Sequence, residues 1–361
     1  MSTVLMTGFP GFLGSALLPR VLARRPGATM LSLVQERHLD TARDRLAGIE
    51  KAHPDIAGRT ELVVGDITVP DLGLGLDAAA TQDVDEVWHL AAVYDLAVPL
   101  EVATKVNVEG TANVLAFCKT RTSLRRLQYV STCYVSGRYN GEFGEDDLDV
   151  GQEFYNHYES TKFEAEELVR EAMAVGLPAT IYRPGIVVGD SVTGETQKYD
   201  GPYFVAEFLR RQRLPIAVLP NVDETVRTSL VPRDFVIAAM DELSVHDNMI
   251  GRTYALTDPE PPTARGVAET FARHLGKRVV YVPVPLGIAR TALGNVPGLK
   301  WALGMPAELI DYFSTRTTYS TKNTVADLNG TGVECPRFAD YAGRLLDYMI
   351  AHPDIGSAAM V

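Results

Sequence analysis

Tyr158 and Lys162 stand four residues apart in Tyr158-Glu-Ser-Thr-Lys162. On a helix that spacing puts a phenol and an ammonium on one face. A free phenol, with a pKa near ~10, exchanges protons poorly at pH 7. An adjacent ammonium favours the phenolate and eases proton transfer. Thr132 offers a hydroxyl that can donate to a carbonyl oxygen, and Asn107 can orient the lysine through backbone or water contacts. Together they suit protonation of an oxygen whose carbon receives a hydride. A lone Tyr-x-x-x-Lys is common on helix surfaces, so its meaning rests on its company. The nearby rivals are weaker. Tyr155 meets Glu159 at the lysine spacing, and Cys133 has no assignable activating base. His157 reads as a surface or loop residue, and Asp146-Asp147 lies in an acidic loop run.

The company is a glycine turn. Val4-Leu5-Met6-Thr7 reads as a short strand, and Gly8-Phe9-Pro10-Gly11-Phe12-Leu13-Gly14 leads from it into a helix-like run to about Arg24. Gly8 permits the tight turn, Gly11 lets a pyrophosphate approach the backbone, and Gly14 lets the helix pack close to the sheet. Oriented N–H groups at the helix start would hold the phosphates. A nicotinamide dinucleotide is the expected ligand. The second strand ends in Val34-Gln35-Glu36-Arg37, where a carboxylate would accept the ribose hydroxyls. Gln35 can donate a hydrogen bond, and the Arg37 fork can pair with a 2′-phosphate. Glu36 would oppose this if it pointed inward. NADP(H) is favoured, and NAD(H) stays open. Asp66 would meet the adenine amino group, Ile67 would cover the ring, and Ala91-Ala92 would let the cofactor lie close over the fourth strand. Lys162 would reach the nicotinamide ribose, and Pro184 would complete the wall.

These residues need a scaffold that brings strand ends together. Strand-like runs at Leu31–Val34, Glu61–Val64, Glu86–Leu90, Leu127–Val130 and Ala179–Tyr182 alternate with helical runs such as Val102–Lys119 and Tyr158–Ala174. This is the pattern of an α/β, Rossmann-type doubly wound parallel sheet. Residues 1–185 read as the dinucleotide-binding domain. Residues 186–361 read as a smaller substrate-binding region interleaved with it. There the pattern loosens, with a polar loop from Ser191 to Pro202, short helices at Phe204–Arg213 and from Val231 to about Leu243, strands at Thr253–Leu256 and Arg278–Val282, and a last helix at Phe338–Ile350.

The chain has 361 residues, 46% of them apolar and 22% charged, enough for a large core. A net charge of −12 with no basic tract disfavours phosphate-backbone binding, so no nucleic-acid partner is expected, while a locally held phosphate-bearing cofactor stays open. Cys118, Cys133 and Cys335 have no metal-ligand spacing, and an odd number argues against a disulfide framework, so no metal and a reducing cytoplasm are expected. With strand residues from position 4 and no run apolar enough to span a bilayer, neither a leader peptide nor a spanning helix is expected.

In order and type, Gly8-x-x-Gly11-x-x-Gly14, Gly65-Asp66, Asn107, Ser131-Thr132, Tyr158-x-x-x-Lys162 and Arg183-Pro184 resemble the extended short-chain dehydrogenase/reductases. The resemblance covers at least residues 3–260. It implies Thr132, Tyr158 and Lys162 as the catalytic set, with Asn107 in support. Gly65 to Leu74, His89 to Asp95, Tyr182 to Gly194 and Lys198 to Tyr203 look like the fatty acyl-CoA and thioester reductase branch. That branch reduces acyl thioesters to aldehydes with NADPH, and some members continue to alcohols. Gln35 replaces an arginine common there.

On the substrate side, Tyr199, Tyr203, Phe204 and Phe208 are expected to wall a channel for an apolar carbonyl substrate, although core packing accounts for Phe204 and Phe208 equally well. Arg210, Arg211 and Arg213 offer a small basic patch for CoA or carrier phosphates, although a solvated helix face accounts for them too. The broken apolar stretch 283–306 reads as a lid or packing segment in preference to a homodimer or membrane contact. The expected activity is NADPH-dependent reduction of a long-chain acyl thioester or fatty aldehyde. The alternatives are a dehydrogenase or reductase of a secondary alcohol or ketone, and a sugar-nucleotide epimerase. A cofactor-sensing scaffold would have no use for the proton-transfer set.

Overall fold

A computed structural model describes residues 2–74, 79–94, 98–283 and 316–356. Most of the apolar stretch 283–306 therefore lies outside the described residues. In chain order the strands are β1 (Thr3–Thr7), β2 (Thr29–Val34), β3 (Thr60–Val64), β4 (Val84–His89), β5 (Arg126–Val130), β6 (Gly141–Phe143), β7 (Ala179–Pro184), β8 (Ile186–Val188), β9 (Ile216–Pro220), β10 (Leu230–Pro232), β11 (Thr253–Leu256), β12 (Arg278–Val282) and β13 (Thr317–Tyr319). Seven of them form one parallel sheet in the order β11-β7-β5-β4-β1-β2-β3. The chain begins in the middle of this sheet and winds outward both ways, as the alternating pattern requires. Parallel strands are covered on both faces, which is why β1, β5 and β7 are buried throughout.

The period of two sorts side chains between the faces. Val4, Met6 and Trp88 join the core under the helices Phe12–Arg24 and Arg233–Ser244. Leu5, Val87, Leu127 and Tyr129 join the opposite core, under the helices Gly110–Lys119 and His157–Ala174. A third apolar cluster holds the helices Pro202–Arg211, Ala264–His274 and Phe338–Ala351 against the β9/β12 pair. This smaller region returns to the main sheet. β11 pairs with β7 in the register Tyr254↔Tyr182, and Trp88, Tyr182 and Tyr254 stack at successive centroid distances of 6.1 Å.

The run expected as one helix from Val102 to Lys119 has a break in its geometry. Leu100–Ala103 is α-helical, Thr104–Glu109 is a π-helical segment, and Gly110–Lys119 is α-helical again. A π turn adds a residue to the register and is enriched at functional sites. It holds Asn107. Helices at Leu39–Ala52, Ala264–His274 and Lys322–Leu328 have no counterpart in the expectations drawn from sequence.

Candidate active site

The strands β1, β2, β4, β5 and β7 point their C-terminal ends at one cleft of about 1070 Å³. Ligands of open α/β sheets bind at such ends, where the winding direction reverses. Gly8 turns the chain off β1 with φ +88°, a conformation open to glycine. The helix Phe12–Arg24 starts from Gly11, which brings no side chain to cap it. The first N–H groups are left to a ligand, and an anion is the ligand their dipole favours. Gly8, Phe9, Pro10, Gly11, Phe12, Leu13 and Gly14 all line the cleft. The donor set fits a dinucleotide pyrophosphate.

At the adenine end, Gln35, Arg37, Asp66 and Ile67 line the wall, and Ala91 and Ala92 form the floor over β4. Gln35 Nε2 donates to Asp66 Oδ2 at 2.8 Å, and the Thr68 N–H donates to Asp66 Oδ1 at 2.8 Å. Gln35 is therefore a clamp on Asp66. Its Oε1 accepts both Nε and Nη2 of Arg37, at 2.9 and 2.7 Å, which holds that guanidinium at the rim. Glu36 is exposed and not part of the cleft wall. His38 and Arg45 line this end too, which the sequence alone did not single out.

At the reactive end, Thr132, Tyr158, Lys162 and Pro184 line the cleft together. Thr132 follows β5, and Tyr158 and Lys162 share the first turns of the helix His157–Ala174, which Asn156 caps by accepting from the Glu159 N–H at 3.0 Å. A hydrogen bond joins the Tyr158 phenol to Thr132, yet burial outweighs it and pushes the phenol up to about 12. Among the described residues the neighbouring ammonium is not hydrogen-bonded to the phenol. Lys162 Nζ donates instead to Tyr129 Oη at 3.1 Å and to the Val130 carbonyl at 2.9 Å. Burial brings Lys162 down to about 8, with Glu166 opposing that fall. The phenol thus rests protonated, as a proton donor should.

Asn107 does not line the cleft. Its amide accepts from the Val93 N–H at 2.9 Å and donates to the Val93 carbonyl and Thr161 Oγ1, each at 3.0 Å. It ties the loop after β4 to the residue beside Lys162, and the π segment supplies the turn that aims it inward. Behind β5 lies a charged group that the sequence did not single out. Glu166 accepts from Ser131 Oγ at 2.6 Å and pairs with Arg183 at 2.6 Å and Arg170 at 3.0 Å. Burial would raise this carboxyl, but Arg183 foremost holds it below its usual range. The pair locks the end of β5 to β7, next to Thr132.

Of the expected channel aromatics, Phe204 lines the cleft. Tyr203 is buried and its Oη accepts from the Gly189 N–H, Tyr199 packs on Tyr203, and Phe208 joins the third core. The helix Pro202–Arg211 turns Tyr203 and Phe208 inward, and Tyr199 precedes it against Tyr203, so they shape the wall from behind. Arg210 and Arg211 both pair with Glu207, which reduces the basic patch. Instead the substrate half carries Lys198, paired with Asp200 at 2.6 Å and lying 4.5 Å from the centre of the Tyr94 ring. Cys133 Sγ is buried against the Arg183 carbonyl, and burial pushes its thiol up, so it packs and does not attack. Among the described residues no cluster of metal-ligating side chains occurs, and no helix is long and apolar enough to cross a membrane.

Fold and site define an NAD(P)-binding Rossmann oxidoreductase. Residues 6–240 match the NAD-binding family model described as male sterility protein, and the chain belongs to that family. It is 31% identical over 284 residues to the glycine betaine reductase ATRR of Emericella nidulans, covering 74% of this chain and 22% of that one. It is 27% identical over 238 residues to the fatty acyl-CoA reductase wat of Drosophila melanogaster, covering 55% and 46%. Each match is to part of a longer protein. Among solved structures, the terminal R domain of the myxalamid PKS-NRPS pathway superposes with a TM-score of 0.83 at 29% identity, over 98% of this chain and 91% of that one. Relatives thus spread over synthetase reductase domains as well as fatty acyl-CoA reductases, which supports the extended family expected from sequence without singling out one branch of it.

Proposed function

We propose that this chain reduces an acyl thioester, held on CoA or a carrier protein, to the aldehyde with NADPH. One observation carries the reading: a single cleft joins the dinucleotide cradle to Tyr158 and Thr132 and continues between Val102, Val106, Ile186 and Phe204. Similarity to a terminal R domain over nearly the whole of both chains supports a carrier-linked substrate. The apolar walls support a fatty acyl group, and the same site would accept a fatty aldehyde. In this reading residues 1–185 hold the cofactor and residues from 186 onward recognise the substrate.

The cofactor, when bound, supplies hydride to the carbonyl carbon. Thr132 donates to the carbonyl oxygen and fixes its position. Tyr158 transfers its proton to that oxygen as negative charge develops there. Lys162 stabilises the phenolate left behind. The resulting hemithioacetal loses the thiol and gives the aldehyde. Asn107 and the Glu166–Arg183 pair hold the strand ends that carry these groups.

The test is a substrate panel. Purified protein with NADPH is offered long-chain acyl-CoA, acyl-carrier conjugates, fatty aldehydes and ketones, following absorbance and products. Aldehyde and free thiol from a thioester are expected. Turnover of ketones or secondary alcohols alone would overturn the proposal.

Two further outcomes follow. Arg37 sits at the rim with a neutral partner, free to meet a 2′-phosphate. Arg37→Ala should weaken NADPH binding by about tenfold and leave NADH unchanged, measured by fluorescence titration. Equal loss for both cofactors would remove this role. The pH profile should also have a defined alkaline limb. Lys162 must be charged to stabilise the phenolate, so kcat/KM should fall as pH rises through about 8. His89, held near 3 chiefly by burial and then by the Lys162 charge, should add no limb above pH 5.

A further inference from the structure

Behind the cleft wall runs a hydrogen-bonded chain that the proposed mechanism does not use. Three parallel strands place Thr7, His89 and Tyr129 in one row, in the registers Thr7↔His89 and His89↔Tyr129. All three face the helices that bring Thr111 and Lys162. Each of the five residues is at most 3% exposed. The donors and acceptors can be ordered throughout. Thr111 Oγ1 donates to the Asn107 carbonyl at 2.6 Å, so its oxygen is left to accept. His89 Nε2, at 3.1 Å, must then carry the hydrogen and donate to it. His89 Nδ1 accepts from Thr7 Oγ1 at 2.8 Å, and Thr7 Oγ1 accepts from the Ala91 N–H at 3.2 Å. Tyr129 also neighbours Thr111, whose oxygen is the acceptor open to the phenol's hydrogen. The Tyr129 oxygen is thereby left to accept, and Lys162 Nζ donates to it at 3.1 Å.

This matters because Lys162 is a buried ammonium, and among the described residues it forms no ion pair with a carboxylate. Such a charge persists only if its donors are met. Tyr129 Oη and the Val130 carbonyl meet two, and the Tyr129 ring lies 4.6 Å from Nζ. The third N–H is left for the cleft, which Lys162 lines. We infer that Tyr129 is a positioning residue: its oxygen, locked as an acceptor by the Thr111–His89–Thr7 chain, holds the Lys162 ammonium at the cleft wall with one N–H free for the reacting groups. The inference rests on Lys162 serving Tyr158 as proposed above.

The experiment reads Lys162 directly and needs no substrate. Wild type, Tyr129→Phe, Thr111→Val and Thr111→Ser are treated with acetic anhydride across pH 6–10, and acetylation of Lys162 is followed by mass spectrometry. Phenylalanine keeps the ring and removes the acceptor. The apparent pKa of Lys162 should fall by about one unit in Tyr129→Phe. It should fall by less in Thr111→Val and recover in Thr111→Ser. The alkaline limb of kcat/KM should move down by the same amount, with NADPH affinity within about threefold of wild type. An unchanged Lys162 titration in Tyr129→Phe overturns the inference. If that variant does not fold, an unchanged titration in Thr111→Val does so. Failure of every thioester as substrate would sink the proposed function and leave the Lys162 titration readable.

Discussion

Tyr158→Phe should lower kcat by about 10²–10⁴-fold, the usual range for removing a general acid, and leave NADPH affinity near wild type. The size follows from what else could give a proton. Thr132 can orient the oxygen, but a hydroxyl is too weak an acid to finish the transfer at pH 7. Cys133 is buried and its thiol is pushed up. His89 faces Thr7 and Thr111, away from the cleft. Among the described residues Tyr94 and Tyr134 are the other phenols lining the cleft, so Tyr94→Phe and Tyr134→Phe are the controls and should keep most of their activity. Affinity should survive because the phenol is not part of the glycine cradle or the adenine end. Steady-state NADPH oxidation with a thioester, together with fluorescence titration, separates the two effects. If Tyr158→Phe kept more than a tenth of kcat, the proton would have to come from elsewhere. If it lost affinity and rate together, the phenol would be holding the cofactor.

That prediction uses the part of the site most legible in sequence. The glycine turn announces itself because each glycine answers a local demand, and the Tyr158–Lys162 pair because helical spacing is local too. The winding of the sheet is also local, set by short apolar strands between helices. The rest depends on neighbours that no local rule supplies. Asn107 could be suspected, but its true partners, Val93 and Thr161, follow from a π-helical segment that no periodicity revealed. The row of Thr7, His89 and Tyr129 exists because β1, β4 and β5 are adjacent, although their sequence positions are far apart. Glu166 and Arg183 meet because β7 lies beside β5 under the helix carrying Glu166. Of the aromatics expected as channel walls, Tyr203 and Phe208 belong to the helix Pro202–Arg211, whose inward face the sequence could not orient toward cleft or core, and Tyr199 lies in the loop before it.

Gly14→Val should remove cofactor binding and destabilise the whole domain. A side chain at Gly14 would place its Cβ 2.7 Å from the Gly8 carbonyl oxygen, 3.1 Å from the Gly8 carbonyl carbon and 3.3 Å from the Phe9 nitrogen. These are backbone atoms of the turn, and no rotamer change relieves them. Either the helix Phe12–Arg24 moves off the sheet or the turn opens. Moving the helix unpacks Leu17, Leu18, Val21 and Leu22, all fully buried; opening the turn misdirects the N–H groups meant for the pyrophosphate. Overpacking of this kind costs about 1–3 kcal/mol or more, and both routes destroy the phosphate cradle. NADPH affinity should fall by at least about a hundredfold, and Tm should drop by several degrees. Gly48→Ala is the matched control. Gly48 lies inside the helix Leu39–Ala52 with nothing within 4 Å of its added Cβ, so alanine there should stabilise by about 0.5–1 kcal/mol and leave binding alone. If Gly14→Val bound NADPH normally while Gly48→Ala behaved as expected, the pyrophosphate would have to bind away from the helix start, and the dinucleotide assignment of this cleft would fall with it.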